Sequence, residues 1–175
     1  MPKRLLLLML MLVPGLASSA SGVILVRHAD KSAEGGADPA LSRDGELRAQ
    51  ALAEALADAG VETILVTPFR RTRDTAAPLA VRLGASPRVV EVAAGGTAHV
   101  DAVAAAVRDA PGVVLVVGHS NTVPAIVRAL GGPELPDICE ARYDNVFVMT
   151  LAGPSPTLQR WRYGAPSPPP GEGCL

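Results

Sequence analysis

The chain has 175 residues and a formal charge of −1, more negative still if Lys3 and Arg4 leave with an N-terminal leader. That length implies one folded domain, and the lack of a basic excess excludes nucleic acid as the main partner. Apolar residues make up 49 % of the chain but aromatics only 3 %, so the core is expected to consist of Ala, Val and Leu.

Residues 1–20 read as a signal peptide. Lys3 and Arg4 form a positive start, Leu5 to Val13 is an unbroken apolar run, and Ala17-Ser18-Ser19-Ala20 offers small residues for cleavage. The apolar run is too short to span a bilayer, so no membrane anchor is expected once the leader is removed. Export to a bacterial periplasm, or secretion beyond it, follows as the expectation. In such an oxidising compartment Cys139 and Cys174 are permitted to pair, although their spacing alone does not show that they meet. Residues 21–163 are expected to form the domain, and residues 164–175, rich in Pro, Gly and Ser, a disordered tail.

Val23-Ile24-Leu25-Val26 is a short apolar run suited to a strand buried on both faces, and it ends in Arg27-His28. A loop with Gly35-Gly36 and Pro39 leads to Ser42, an N-cap candidate, and to a helix over Glu46 to Ala59 with Gly60 as C-cap. Thr63 to Thr67 reads as a second strand and Arg70 to Leu83 as a helix with Pro78 inside it, ended by Gly84. Val89 to Val92 follows as a third strand, then a Gly95-Gly96 loop and a helix over Ala98 to Asp109. Val113 to Val117 is the most apolar strand, and Pro124 fits the first turn of a helix reaching Leu130. Asn145 to Leu151 and Thr157 to Tyr163 read as an edge hairpin. Strands alternating with helices predict a three-layer α/β/α domain, its sheet mostly parallel with antiparallel edge strands.

Two of the three histidines, His28 and His119, directly follow the two most apolar strands. In a parallel sheet such strand ends share one edge, where α/β sheets bind ligands, so the two imidazoles are expected to converge. Arg70, Arg71 and Arg73 crowd a helix start, which opposes the helix dipole unless an anion compensates. Arg27 and one of these three would supply two planar forks for phosphate oxygens, the others forming a solvated face.

These residues resemble the motifs of the histidine phosphatase superfamily, branch 1. Arg27-His28 is similar to its RHG signature, and Leu41-Ser42 with Gly45, Leu52 and Leu56 to its L-T-x-x-G-x-x-Q-A-x-x-L helix. Thr67-Pro68-Phe69-Arg70-Arg71-Thr72-Arg73-Asp74-Thr75-Ala76 resembles S-P-L-x-R-A-x-Q-T-A, and Gly118-His119-Ser120 resembles G-H-[GS]. The resemblance implies a phosphoglycerate mutase-like fold and an exported phosphatase that hydrolyses phosphate monoesters, or a related phosphorylated small molecule, through a phosphohistidine. It makes His28 the nucleophile and gives Arg27, Arg71 and His119 the transferring phosphoryl group, with Ser120 as a further substrate-binding candidate. It calls for no metal and no cofactor. Phosphoryl transfer rests on positioning and charge neutralisation, which this set supplies. His28 must be neutral at its attacking nitrogen, its other nitrogen donating to a backbone carbonyl, while His119 and the arginines carry the positive charge.

The sequence departs from the family at Ala29, where glycine is usual, and at Thr72 and Asp74. For the proton donor to the leaving group, Glu91 is the nearest match to the family's glutamate beyond the third strand, with His99, Asp101 and Asp30 as alternatives. Asp144-Asn145 suits structural turn chemistry. Other readings are a non-catalytic phosphate-binding module on the same fold, a metal site at His28, His119 and Asp30, and a serine esterase using Ser120. The adjacent arginines oppose the metal site. The esterase lacks a glycine at Thr122 and any histidine after His119. Short loops argue for hydrolysis rather than a mutase reaction. The substrate and the oligomeric state are not legible.

Overall fold

A computed structural model describes residues 19–92 and 96–175. The leader thus lies outside the described residues except for Ser19 and Ala20. Ala20 is the buried first residue of a strand.

The elements are β1 (Ala20–Arg27), α1 (Arg43–Ala55), β2 (Val61–Val66), α2 (Arg70–Leu83) and β3 (Arg88–Val89). They continue with α3 (Gly96–Arg108), β4 (Gly112–Gly118), α4 (Thr122–Ala129), β5 (Asn145–Thr150) and β6 (Thr157–Arg162). One six-stranded sheet has the order β3-β2-β4-β1-β5-β6. The first four of these run parallel, and β5 and β6 add an antiparallel edge hairpin against β1.

Side-chain alternation along the central strands sorts the core into two layers. Ile24, Val26, Leu115 and Val117 face α1 and α2, packing with Leu52, Leu56 and Leu79. Leu25, Val114 and Val116 face the other side, with Val103, Val107, Ile126 and Phe147. The buried side chains are mostly Val, Leu, Ile and Ala, as the composition requires.

Several boundaries differ from expectation for local reasons. The Ser42 side chain accepts from Gly45 N at 3.1 Å, so α1 starts at Arg43, before Glu46. It stops at Ala55 with Leu56 as C-cap, and Gly60 (φ 67°) instead turns the chain into β2. The helix beginning at Arg70 runs through Pro78 to a left-handed Gly84, as expected. β3 shrinks to Arg88–Val89 because it pairs only with Leu65 and Val66 at the sheet edge. Gly96, expected in a loop, is the first residue of α3.

Residues 164–175, expected as a disordered tail, contain no helix or strand but are tied to the body. Arg48 Nη1 donates to Ala165 O, Arg142 Nη1 to Pro168 O, and Tyr143 N to the Ser167 hydroxyl. Cys139 and Cys174 form a disulfide, flanked by backbone bonds from Cys139 N to Leu175 O and from Leu175 N to Asp137 O.

Candidate active site

The register of β1 against β4 pairs Arg27 with Gly118. The residues that follow, His28 and His119, therefore leave the sheet side by side, and His28 N donates to Gly118 O at 2.9 Å. Their ring centroids lie 5.5 Å apart in an edge arrangement. Two distant strand ends thus form one imidazole pair.

His28 is held by a short chain of bonds. Its Nδ1 lies 2.8 Å from Ala29 O; a carbonyl only accepts, so Nδ1 carries the hydrogen and Nε2 keeps its lone pair. Ala29 N donates to Thr75 Oγ1 at 2.8 Å, and Thr75 Oγ1 donates to Arg71 O. The same threonine therefore ties the backbone beside His28 to the first turn of α2. Burial lowers the His28 pKa to about 3, with the charges of Arg27, His119 and Arg71 acting in the same direction and the bond to Ala29 opposing. Nε2 is therefore unprotonated at neutral pH.

His119 contacts Thr67 Oγ1 at 3.2 Å and lies 3.5 Å from Arg71 Nη2 through Nδ1. Burial first, then Arg71, His99 and Arg27, lower its pKa to about 4. Poor solvation and the neighbouring Arg71, His99 and Arg27 thus disfavour the positive charge expected on His119. The charge of the site comes from Arg27, Arg71 and the nearby Lys31.

Arg71 projects from the first turn of α2, stacked 4.4 Å from the Phe69 ring. Arg70 and Arg73 are exposed, so one arginine of the three reaches the site. The anion expected to relieve this helix start is in part the Asp38 carboxylate, which accepts from Arg70 N at 2.9 Å and lies 3.7 Å from Arg71.

Arg27 is not an open fork. It is 2 % exposed, and its Nη1 donates to Cys139 O, Glu140 O and Arg142 O. Its Nη2 donates to Glu140 Oε2 at 2.8 Å. Tyr143 lies over the guanidinium at 4.3 Å and over the His28 ring at 6.0 Å. Segment 138–143 thus drapes across the strand ends, anchored also by Ile138 N donating to Ser120 O. Ser120 contributes this carbonyl; its hydroxyl bonds to no histidine, which removes the support for an esterase.

The acid candidates separate. Asp30 accepts from Arg48 Nε at 2.6 Å, facing α1 rather than the leaving group. His99 is buried, with Nδ1 donating to Glu91 O at 2.9 Å. Glu91 offers that carbonyl, while its exposed carboxylate makes no hydrogen bond or ion pair among the described residues. Asp101 is exposed on α3. None of the four is brought into hydrogen bonding with His28, Arg71 or His119. Asp144 binds Arg162, Arg142 and Ser167 N, a structural role as its turn setting suggested.

The departures from the family pattern have local reasons. The Ala29 side chain packs with Leu41 and Ala49 in a small buried cluster. The Thr72 hydroxyl contacts Thr67 Oγ1 at 2.9 Å and receives Thr67 N, bracing the residue that contacts His119. The contribution of segment 138–143 was missed from the sequence. Glu140 carries no recognisable motif there, and only the pairing of the adjacent Cys139 with Cys174 could have pointed to it.

A mostly parallel sheet with His28 and His119 paired at its strand ends, Arg27 at the end of β1 and Arg71 on the first turn of α2, defines an α/β protein with a basic site at one sheet edge. The model of the histidine phosphatase superfamily (branch 1) matches residues 23–96 of the 175. No curated protein matches it in sequence. Among solved structures it resembles the mycobacterial glucosyl-3-phosphoglycerate phosphatase Rv2419c, with TM-score 0.63 and 18 % identity over 82 % of this chain and 99 % of that one. It also resembles the putative phosphohistidine phosphatase SixA from Agrobacterium tumefaciens, with TM-score 0.60 and 21 % identity over 83 % and 99 % of the two chains. A third likeness is to the putative SixA from Nakamurella multipartitia, with TM-score 0.56 and 26 % identity over 82 % and 96 %.

Proposed function

We propose that this protein is an exported phosphatase that hydrolyses small phosphate monoesters through a phosphohistidine on His28. The observation that carries the reading is the His28 geometry: Nδ1–H donated to Ala29 O leaves an unprotonated Nε2, with the His119 ring 5.5 Å away and the charges of Arg27 and Arg71 acting on it. Nε2 attacks phosphorus as the ester oxygen departs, forming a P–N bond and breaking the P–O bond, and the leaving oxygen takes its proton from solvent. Water then attacks the same phosphorus, releasing phosphate and restoring the imidazole. Arg27 and Arg71 neutralise the phosphoryl oxygens through both steps.

Related folds bind matching anions. Structures of the mycobacterial phosphatase hold inorganic phosphate and VO3, and a SixA structure holds tungstate. Export is supported by the leader pattern and by the Cys139–Cys174 disulfide, which suits an oxidising compartment.

Brief incubation with a 32P-labelled ester and an acid-free quench tests the mechanism. The label is expected on protein, stable in base and lost in acid, and absent from His28→Ala. Full turnover by His28→Ala sinks the mechanism. A wild type inert toward a broad ester panel but able to bind phosphate supports the binding-module alternative.

A further inference from the structure

Both arginines of the site meet a carboxylate from a flanking loop, and the two carboxylates differ in their freedom. Asp38 is pinned by Arg70 N and stands 3.7 Å from Arg71. Glu140 is 67 % exposed, and among the described residues its carboxylate is held by the two cations it bridges. Oε2 receives Arg27 Nη2 at 2.8 Å, and Oε1 receives Lys31 Nζ at 2.7 Å. Partial burial raises the Glu140 pKa, but the Lys31 bond and the Arg27 charge outweigh it and hold the carboxyl below its usual range. It is an anion seated on the anion-binding arginine. Among the described residues the buried Arg27 Nε–H has no hydrogen-bond partner.

We propose that Glu140 is an internal competitor for the substrate's phosphoryl group: phosphate displaces its carboxylate from Arg27 and Lys31, and Lys31 becomes an additional phosphate ligand. The inference rests on the phosphatase reading above, since it assigns how that pocket is filled. The exchange has no cost in backbone structure. The three carbonyls that hold Arg27 Nη1 belong to the main chain and stay when the Glu140 side chain swings outward. Glu140 therefore sets KM through competition and leaves the chemical step alone. Lys31, the only lysine beyond the leader, gains a role in the substrate complex.

The test is calorimetric binding of inorganic phosphate, with kcat and KM for p-nitrophenyl phosphate and for an alkyl phosphate. Glu140→Gln is expected to bind phosphate about fivefold tighter, the scale of removing one partly exposed ion pair, and to lower KM with kcat unchanged. Glu134→Gln, an exposed carboxylate paired with Arg128 at 3.4 Å, controls for the general field and should shift neither. Lys31→Gln made in the Glu140→Gln background should weaken phosphate about fivefold, because Lys31 then has only the ligand to hold. No effect there means that Lys31 merely tethers Glu140, which overturns its assignment. Unchanged phosphate affinity in Glu140→Gln overturns the competitor. A loss of kcat confined to the alkyl ester, with KM unchanged, overturns it too and makes Glu140 the proton donor. If the wild type binds phosphate but hydrolyses no ester, the phosphatase reading fails while a tighter Glu140→Gln keeps the competitor. If it hydrolyses esters and Glu140→Gln binds no tighter, the competitor alone fails.

Discussion

The His28 and His119 rings meet edge-on with centroids 5.5 Å apart, and burial keeps both uncharged at neutral pH. A charged pair at this distance would repel, so neutrality and proximity belong together. In a two-dimensional NMR titration of the free protein, neither imidazole is expected to titrate between pH 5 and 8. A midpoint near 6.5 for either overturns this. Acid loss of activity within that range then follows the substrate, whose second phosphate pKa is about 6.

The same pair makes stability depend on pH. Well above pH 6.5 both states are neutral at these positions, and they contribute no pH dependence. As pH falls through 6.5, the unfolded chain takes up protons that the folded chain refuses until about pH 4 and about pH 3. Stability from these groups therefore declines on acidification from neutrality. Urea unfolding at pH 7.5 and 5.0 should show the lower midpoint at pH 5.0, and His28→Asn should reduce the difference.

Thr75 acts through His28 without touching substrate. Removing its hydroxyl leaves Ala29 N without its partner, a buried loss of about 1–3 kcal/mol. Ala29 O, which fixes the His28 tautomer, is on the same residue. Thr75→Val is expected to lower kcat by about tenfold to a hundredfold with little change in KM, and Thr75→Ser to recover most of it. Equal kcat for Val and Ser variants would show that the hydroxyl positions nothing.

Gly45 tests a steric rule. Alanine is the better helix former by about 1 kcal/mol, yet a Cβ here collides with the carbonyl oxygen of Asp30. The collision wins: Gly45→Ala should destabilise by about 1–3 kcal/mol in denaturant titration. A gain in stability would mean that α1 can shift away from the strand end at no cost.

The Cys139–Cys174 bond closes a span of 35 residues, for which the chain-entropy model gives a ceiling of about 4 kcal/mol. It also anchors the segment whose carbonyls hold Arg27. Cys174→Ser is expected to lower the melting temperature and to raise KM, with dithiothreitol reproducing both in the wild type. A lowered melting temperature with KM untouched would restrict the bond to stability.

The sheet, its antiparallel edge hairpin and the pairing of His28 with His119 were all legible in the sequence. Continuous apolar runs ending in polar clusters leave few arrangements other than a parallel sheet, and such a sheet gathers its strand ends on one edge. The blocks around Arg27, Gly45, Arg71 and His119 carried the family because each meets a local constraint: a strand end, a tight helix approach, a helix start. Segment 138–143 and the tail follow no such period. Glu140, Tyr143 and the carbonyls on Arg27 reach the site through a disulfide and irregular backbone, contacts between residues far apart in the chain. The neutrality of His119 was likewise a tertiary matter, because desolvation and neighbouring charge exist only once the chain has folded. The sequence determined which groups stand at the sheet edge; the tertiary structure decided which of them are charged and what they already hold.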